Sequence, residues 1–144
     1  MPGRLTQAPP RQPSPKHQTP RPPSGKMPLT EVRMDVGLAL VLAGNGRATG
    51  PAVAALRDRL VTAIIALEPE ATAHVAALKN PTERAAHTAT IRQAITLAES
   101  GGRAGPDSTP EHSLSLLGKA ADVLGRLAHG HRHRVARAEG RPLP

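Results

Sequence analysis

The chain has 144 residues and a formal net charge of +8, and it contains no Cys, Phe, Tyr or Trp. Without cysteine it can form neither a disulfide nor a thiolate metal site. Without aromatic residues it lacks the side chains that bury the most area and the usual platforms for stacking unpaired bases. This composition fits one domain with tails, held together by Leu, Ile, Val and Ala alone.

The basic charge lies at the two ends of the chain. Residues 1–28 contain five basic residues and no acid, and residues 129–144 contain four Arg and one Glu. Between these ends, ten basic and ten acidic residues cancel. Basic tails can bind polyanions, so non-specific nucleic-acid binding through the tails is an alternative function to consider.

The N-terminal segment, residues 1–28, holds nine of the sixteen prolines, interleaved with polar and basic residues. Such a segment cannot bury enough apolar surface to offset its ordering entropy, which predicts a disordered, Pro-rich basic tail. It lacks the apolar run of a secretory signal. No stretch approaches the roughly 18 uncharged apolar residues of a membrane span. We therefore expect a cytoplasmic protein with no membrane partner.

The first helix is predicted over residues 30–43. Thr30 is expected to cap it, and Glu31 lies in the first turn, where the helix dipole favours an acid. Gly44 is a natural stop. The connector over residues 44–50 has three glycines but no preceding strand and no following Gly-Lys-Ser/Thr, so it predicts a flexible loop and not a phosphate site.

The longest apolar pattern predicts a central helix over residues 51–79, with Pro51 in its first turn. Val61 and Ile65 widen the apolar stripe, so the helix needs partners on more than one side. Pro69 is expected to kink the helix or split it in two. The predicted core stripe consists of Val53, Leu56, Leu60, Ile64, Leu67, Ala71, Val75 and Leu78.

A third helix is predicted over residues 81–99. Asn80 as N-cap, Pro81 at the first helical position and Glu83 in the first turn form a start like a capping box. The many alanines of this helix allow a close approach to its neighbour. Its predicted inner face consists of Ala85 or Ala86, Ala89, Ile91 or Arg92, Ile95 and Ala98.

A loop rich in Gly and Pro, residues 100–110, is predicted to be mobile. The last helix is predicted over residues 110–129, with Thr109 or Ser108 as its cap and Gly130 as its stop. Two apolar rows on this helix make a face wide enough to contact two helices. The first row is Leu114, Leu117, Ala121, Leu124 and Ala128, and the second is Leu116, Ala120, Val123 and Leu127.

These elements predict an all-α fold, a small bundle of about four helices with a kinked central helix. The helical domain covers residues 29–130, between the disordered tail over residues 1–28 and a basic C-terminal tail over residues 131–144. Short connections favour antiparallel neighbours.

Three histidines, His129, His131 and His133, form a cluster with metal-ligand chemistry. Their alternate spacing brings three imidazoles to one side only if the backbone is extended. Arg132 and Arg134 lie among them and repel a cation. We therefore interpret the cluster as a basic helix end and predict no metal site.

No catalytic or cofactor-binding residue is predicted. His74 and His87 lie on helices, on or near packing faces. Glu68 and Glu70 are two residues apart on a helix and point in different directions, which indicates a solvated edge and not an acid/base pair. No serine lies in a Gly-x-Ser-x-Gly elbow. The loop before the last helix is too long for a helix-turn-helix DNA reader.

Three short segments resemble the actinobacterial DUF6415 family, small proteins described as natural product biosynthesis proteins of unknown function. The segments are Ala66-Leu67-Glu68-Pro69-Glu70, Ile91-Arg92-Gln93-Ala94 before Ser100-Gly101-Gly102, and Ala120-Ala121-Asp122-Val123. The resemblance covers about residues 30–130. It implies a helical fold and an association with secondary metabolism, and it supplies no catalytic residue.

From these features we expect a non-enzymatic accessory or protein-interaction protein with a protein partner, no cofactor and no metal. We also expect a homodimer that pairs the faces of Val61 and Ile65, because the central helix is apolar on more than one side. The alternative is a nucleic-acid-associated protein that binds non-specifically through its basic tails.

Overall fold

A computed structural model describes residues 26–103, 105 and 107–140. These residues form four α-helices and no strand: α1 (Leu29–Gly44), α2 (Pro51–Ala76), α3 (Pro81–Glu99) and α4 (Pro110–Ala138). The predicted all-α bundle is therefore confirmed. The predicted disorder of residues 1–25 and 141–144 concerns positions outside the described residues.

The side-chain caps predicted for α3 and α4 are both present. The Asn80 side chain accepts hydrogen bonds from the backbone N–H groups of Thr82 at 2.8 Å and Glu83 at 3.1 Å. The Thr109 hydroxyl accepts one from the N–H of His112 at 3.1 Å. Each cap satisfies donors that have no partner inside the helix, so the starts of these helices are set locally.

The start of α1 differs from the prediction. The helix begins at Leu29 with Pro28 at the N-cap position, and no side chain caps it. Thr30 therefore lies inside the first turn, and the prediction that it caps the helix was wrong. Glu31 does lie in the first turn, where its negative charge interacts favourably with the positive end of the helix dipole.

The two long helices, α2 and α4, form a parallel central pair. Arg57 near the start of α2 binds Ser113 near the start of α4, and Glu70 binds Arg132 near their ends. Helix α1 packs mainly on α4, and α3 packs mainly on α2. Among the described residues α1 and α3 do not contact each other, so they lie on opposite sides of the central pair.

The core is made by facing aliphatic stripes on α2 and α4. Every residue of the predicted α2 stripe is buried except Leu78, which is half-buried. The first predicted row of α4 is fully buried, with all five members at 0% exposure. On α3 the buried residues are Ile91, Ala94 and Ala98, whereas the predicted Ala85, Ala86 and Ala89 are exposed.

Pro69 lies inside α2, which continues through it as one helix from Pro51 to Ala76. The predicted split was therefore wrong, and the kink remains a prediction. The proline leaves the carbonyl of Ile65 without its helical partner. Both Pro69 and Ile65 are exposed, so water can bind that carbonyl on the outer side of the helix.

Gly130 does not end α4, which continues to Ala138. The glycine lies where the ring of His74 packs against the α4 backbone, because a Cβ built at Gly130 would be 2.6 Å from the His74 ring. Residues 131–138 are thus helical, contrary to the predicted tail, and Ala136 is buried at 5% exposure. The glycine with positive φ that follows this helix is Gly140, at φ 73°, a conformation that favours glycine after a helix end.

The packing of Gly130 can be tested by comparison with Gly125 on the same helix. A Cβ at Gly125 would lie 3.9 Å from Val32, an ordinary contact. We expect Gly125→Ala to raise the free energy of unfolding by about 0.5–1 kcal/mol, the usual gain for Gly→Ala within a helix. Gly130→Ala should lose that gain or destabilise the fold, because its methyl group displaces the His74 ring.

The measurement is urea unfolding followed by circular dichroism. The double variant His74→Ala with Gly130→Ala should be more stable than the single variant His74→Ala, since the clash is then absent. Equal stabilisation by Gly125→Ala and Gly130→Ala would contradict the packing described for Gly130.

Candidate functional site

The histidines of the predicted C-terminal cluster are not brought together. They lie on α4, whose helical backbone directs His131 away from the side shared by His129 and His133. The His131 ring instead lies 3.1 Å from the Arg134 guanidinium. Within the described residues, no group of three His, Cys, Asp or Glu side chains is placed to hold a metal ion.

His74 lies at the end of the bundle, beside the guanidinium of Arg134. It is half-buried, and its Nδ1 atom is 3.4 Å from Nη1 of Arg134. Burial lowers the pKa of His74, and electrostatic repulsion from Arg134, His87 and His131 lowers it further. The imidazole therefore serves as a packing surface against Gly130, and among the described residues no carboxylate is hydrogen-bonded to it to orient it as a base.

Glu70 forms an ion pair with Arg132 that joins α2 to the end of α4. Two parallel hydrogen bonds of 2.7 and 2.8 Å connect the guanidinium to the carboxylate. The hydrogen bond from Arg132 lowers the pKa of Glu70 despite the opposing effect of burial. Glu70 is therefore not part of a solvated edge as predicted. It holds the C-terminal turns of α4 against α2.

Ser113 is a buried polar residue with two partners. Its hydroxyl donates a hydrogen bond to the Gly102 carbonyl and accepts one of 2.7 Å from Arg57. Gly102 itself is buried at φ 90°, where a Cβ would lie 2.5 Å from Leu117. The loop before α4, predicted to be mobile, is thus anchored at this point. The paired hydroxyl has a structural role, and no histidine or carboxylate among the described residues is hydrogen-bonded to it.

The clearest candidate site is an open groove of about 670 Å³ between α3 and α4. We call it the α3/α4 groove. Its floor is apolar, and its members are half-buried except Ala94, which is buried. The floor consists of Ala94 and Leu97 from α3 and of Leu116, Ala120 and Val123 from α4.

The groove exists because α3 leans on α2 and leaves part of α4 uncovered. The second apolar row of α4 was predicted to contact another helix. Only Leu127 of that row is buried, and the other three members line the groove. On its α4-facing side α3 also places polar Thr90 and Gln93, which are too polar to seal an aliphatic surface.

Three cations surround this apolar floor. Arg92, Arg103 and Lys119 line the groove and are exposed. None of them forms an ion pair with another described residue. No acidic residue is among the described residues that line the groove. The sequence reading did not identify these residues as a site, because α3 and α4 contribute them from separate segments.

A larger groove of about 870 Å³ lies between α2 and α3. Its lining includes Glu68 and Glu99 as well as Arg84 and Arg92. Arg84 already donates a hydrogen bond of 2.7 Å to the Leu78 carbonyl. Because both signs of charge occur here, the lining of this groove favours neither an acidic nor a basic ligand.

The low pKa of His74 predicts how stability depends on pH. Its pKa in the folded protein lies below the ordinary value of 6.5, so the unfolded chain takes up the proton first. The free energy of unfolding should therefore fall as the pH is lowered from about 7 through 6.5 toward the folded-state pKa. His74→Gln should reduce this slope. The matched control is His133→Gln, at an exposed position on α4.

Urea unfolding at about pH 7.5 and about pH 5.5 measures this difference for the wild type and both variants. We expect His133→Gln to retain the wild-type loss of stability. If His74→Gln loses as much stability on acidification as the wild type does, the assigned environment of His74 is wrong.

Comparison with known proteins leaves the chain without an assigned family. It matches no family model, no curated protein and no solved structure. In the described part of the chain, no helix has the length and apolar character needed to cross a membrane. The resemblance to the DUF6415 family remains a prediction from the sequence.

Proposed function

We propose that this protein is a non-enzymatic interaction protein that binds an acidic amphipathic helix of a partner protein in the α3/α4 groove. The observation that carries the proposal is the combination of an aliphatic floor with three cations and no acid among the described lining residues. A partner helix with the opposite charge pattern is the complement of this surface.

The dimensions of the groove suit a short helix. It extends along α3 from Thr90 to Ser100, a distance of about 15 Å at 1.5 Å per residue. Two to three turns of a partner helix have about this length. Aliphatic residues at positions i, i+3 or i+4, and i+7 can cover Leu97, Leu116 and Val123. Acidic residues beside that stripe can then approach Arg103 and Lys119.

The charge pattern supports specificity more than affinity. Exposed ion pairs contribute roughly 0–1 kcal/mol each, so the apolar floor supplies most of the binding free energy. The cations discriminate between acidic and basic partners of equal apolar character, and they accelerate association.

Nucleic-acid binding through the tails is the alternative proposal, and the C-terminal end gives it less support than its charge suggests. Arg132 is paired with Glu70 at 2.7 Å. One of the four Arg residues of this end therefore already has an acidic partner. Since residues 131–138 belong to α4, a test by truncation should remove only residues 1–25 and 141–144. Salt-dependent DNA binding that disappears on this truncation would favour the alternative.

Two further parts of the proposal come from the sequence. The DUF6415 resemblance supports a partner that acts in, or regulates, secondary metabolism. The cytoplasmic location expected from the sequence is the other part.

The proposal can be tested with two labelled model peptides of equal length and identical Leu stripe. One carries Glu beside the stripe and the other carries Lys. We expect the acidic peptide to bind and the basic peptide to bind at least about tenfold more weakly, a difference of about 1.4 kcal/mol. Fluorescence anisotropy measures both dissociation constants.

Variants locate the binding to the groove. The double variant Arg103→Glu with Lys119→Glu should reverse the preference between the two peptides. The matched control is Arg137→Glu, an exposed position on α4 about 20 Å beyond Val123, which should retain the acidic preference. Ala120→Leu fills the floor and should weaken both peptides. Absence of binding, or an equal effect of Arg137→Glu, would contradict the proposal.

A further inference from the structure

Helix α1 presents an unusual apolar surface to solvent. Five large apolar side chains are exposed among the described residues, and four of them lie on this helix. Soluble monomers expose such side chains singly, so a cluster on one 16-residue helix indicates a contact surface. The exposed fractions are 69% for Met34, 46% for Leu38, 39% for Leu40 and 58% for Val41.

Three of these residues form one outward stripe. Met34, Leu38 and Val41 are spaced by four and three residues, which places them on one side of a helix. The residues buried against the bundle are Val32, Val36 and Ala39. We call the exposed set the α1 stripe. Leu40 is not part of it, since its Cδ2 atom packs over Gly118 of α4, at 3.3 Å from a Cβ built there.

A notch lies beside the α1 stripe at Gly37. This glycine is exposed, and a Cβ built on it would meet no atom within 4 Å. Thr30, Gly37 and Gly44 recur at intervals of seven residues and form an edge of small side chains along the stripe. Small residues at this interval allow the backbone of a second helix to approach closely.

We infer that the α1 stripe is the contact between two copies of this chain, paired antiparallel about a twofold axis between Gly37 and Leu38. In this arrangement Leu38 of each copy lies over Gly37 of the other copy. Met34 of each copy then faces Val41 of the other copy. The large Leu38 side chain of each copy thus meets the small Gly37 of the other copy. An isologous contact requires a surface that is complementary to itself in this way.

Charge also favours a second copy over other occupants. The α1 stripe contains no charged residue, and the charged residues of α1 are Glu31, Arg33 and Asp35, of which Asp35 is paired with Arg59. A membrane surface would be favoured by several cations beside the apolar residues. The N-terminal segment of the same chain offers only Met1 and Leu5 as large apolar residues among positions 1–25.

The inferred dimer differs from the one predicted from the sequence. Ile65 is 50% exposed, but its neighbour Val61 is half-buried and packs against the core. The α2 face therefore offers one exposed large side chain. Helix α1 is about 24 Å long, so a contact through this helix alone is smaller than the roughly 1,200 Å² at which stable specific interfaces begin. We expect a weak dimer, with a dissociation constant on the order of micromolar or higher.

Complementary charges test this geometry directly. Met34→Lys and Val41→Glu should each raise the dissociation constant of the dimer by at least about tenfold, a loss of about 1.4 kcal/mol. The double variant carrying both changes in one chain should recover dimerisation. The twofold pairing places the new cation of each copy against the new acid of the other copy. Sedimentation equilibrium measures the dissociation constants.

Two further variants separate dimerisation from folding. Gly37→Leu fills the notch and should weaken the dimer, while circular dichroism should show no loss of helix, since the position is open in the monomer. The matched control Ile65→Glu should leave the dimer unchanged.

A wild-type protein that stays monomeric from about 1 μM to about 1 mM would overturn the inference. Loss of the dimer with Ile65→Glu, or no recovery in the double variant, would overturn it as well. Because α1 lies opposite α3, these outcomes are independent of peptide binding in the α3/α4 groove.

Discussion

The structure depends on one aliphatic contact, the parallel packing of α2 against α4. No aromatic side chain is available in this chain, so the contact needs continuous Leu, Ile, Val and Ala stripes on two long helices. Both stripes are buried along their length within the two helices. Helices α1 and α3 only flank this pair. The open surfaces of the molecule follow from this division, because each flanking helix covers chiefly one central helix.

Polar contacts fix the two ends of this central pair. At one end Arg57 donates hydrogen bonds to the Ser113 hydroxyl and to the Pro110 carbonyl. Ser113 in turn anchors the loop at Gly102. At the other end Glu70 binds Arg132. Half-buried ion pairs of this kind contribute modestly to net stability, but removing one partner is costly. They set how α4 lies along α2, which the aliphatic stripes alone could not specify.

Most local features were predicted correctly from the sequence, apart from the cap of α1, whereas long-range features were predicted poorly. The caps at Asn80 and Thr109 and the α2 stripe depend on neighbours a few residues away. The role of Gly130 depends on His74, which lies far away in the chain, so the glycine resembled an ordinary stop. The α3/α4 groove was missed for a similar reason. The pattern showed that the second row of α4 is apolar, but it could not show that α3 would pack against α2 instead.

The position of α1 and α3 on opposite sides of the central pair has a consequence for avidity. Two copies joined through α1 would carry their α3/α4 grooves on the outer sides, and neither groove would be obstructed. A partner that contains the acidic segment twice could then occupy both, and its second segment would bind at the effective concentration set by its linker. Weak binding at each groove is compatible with firm retention of such a partner.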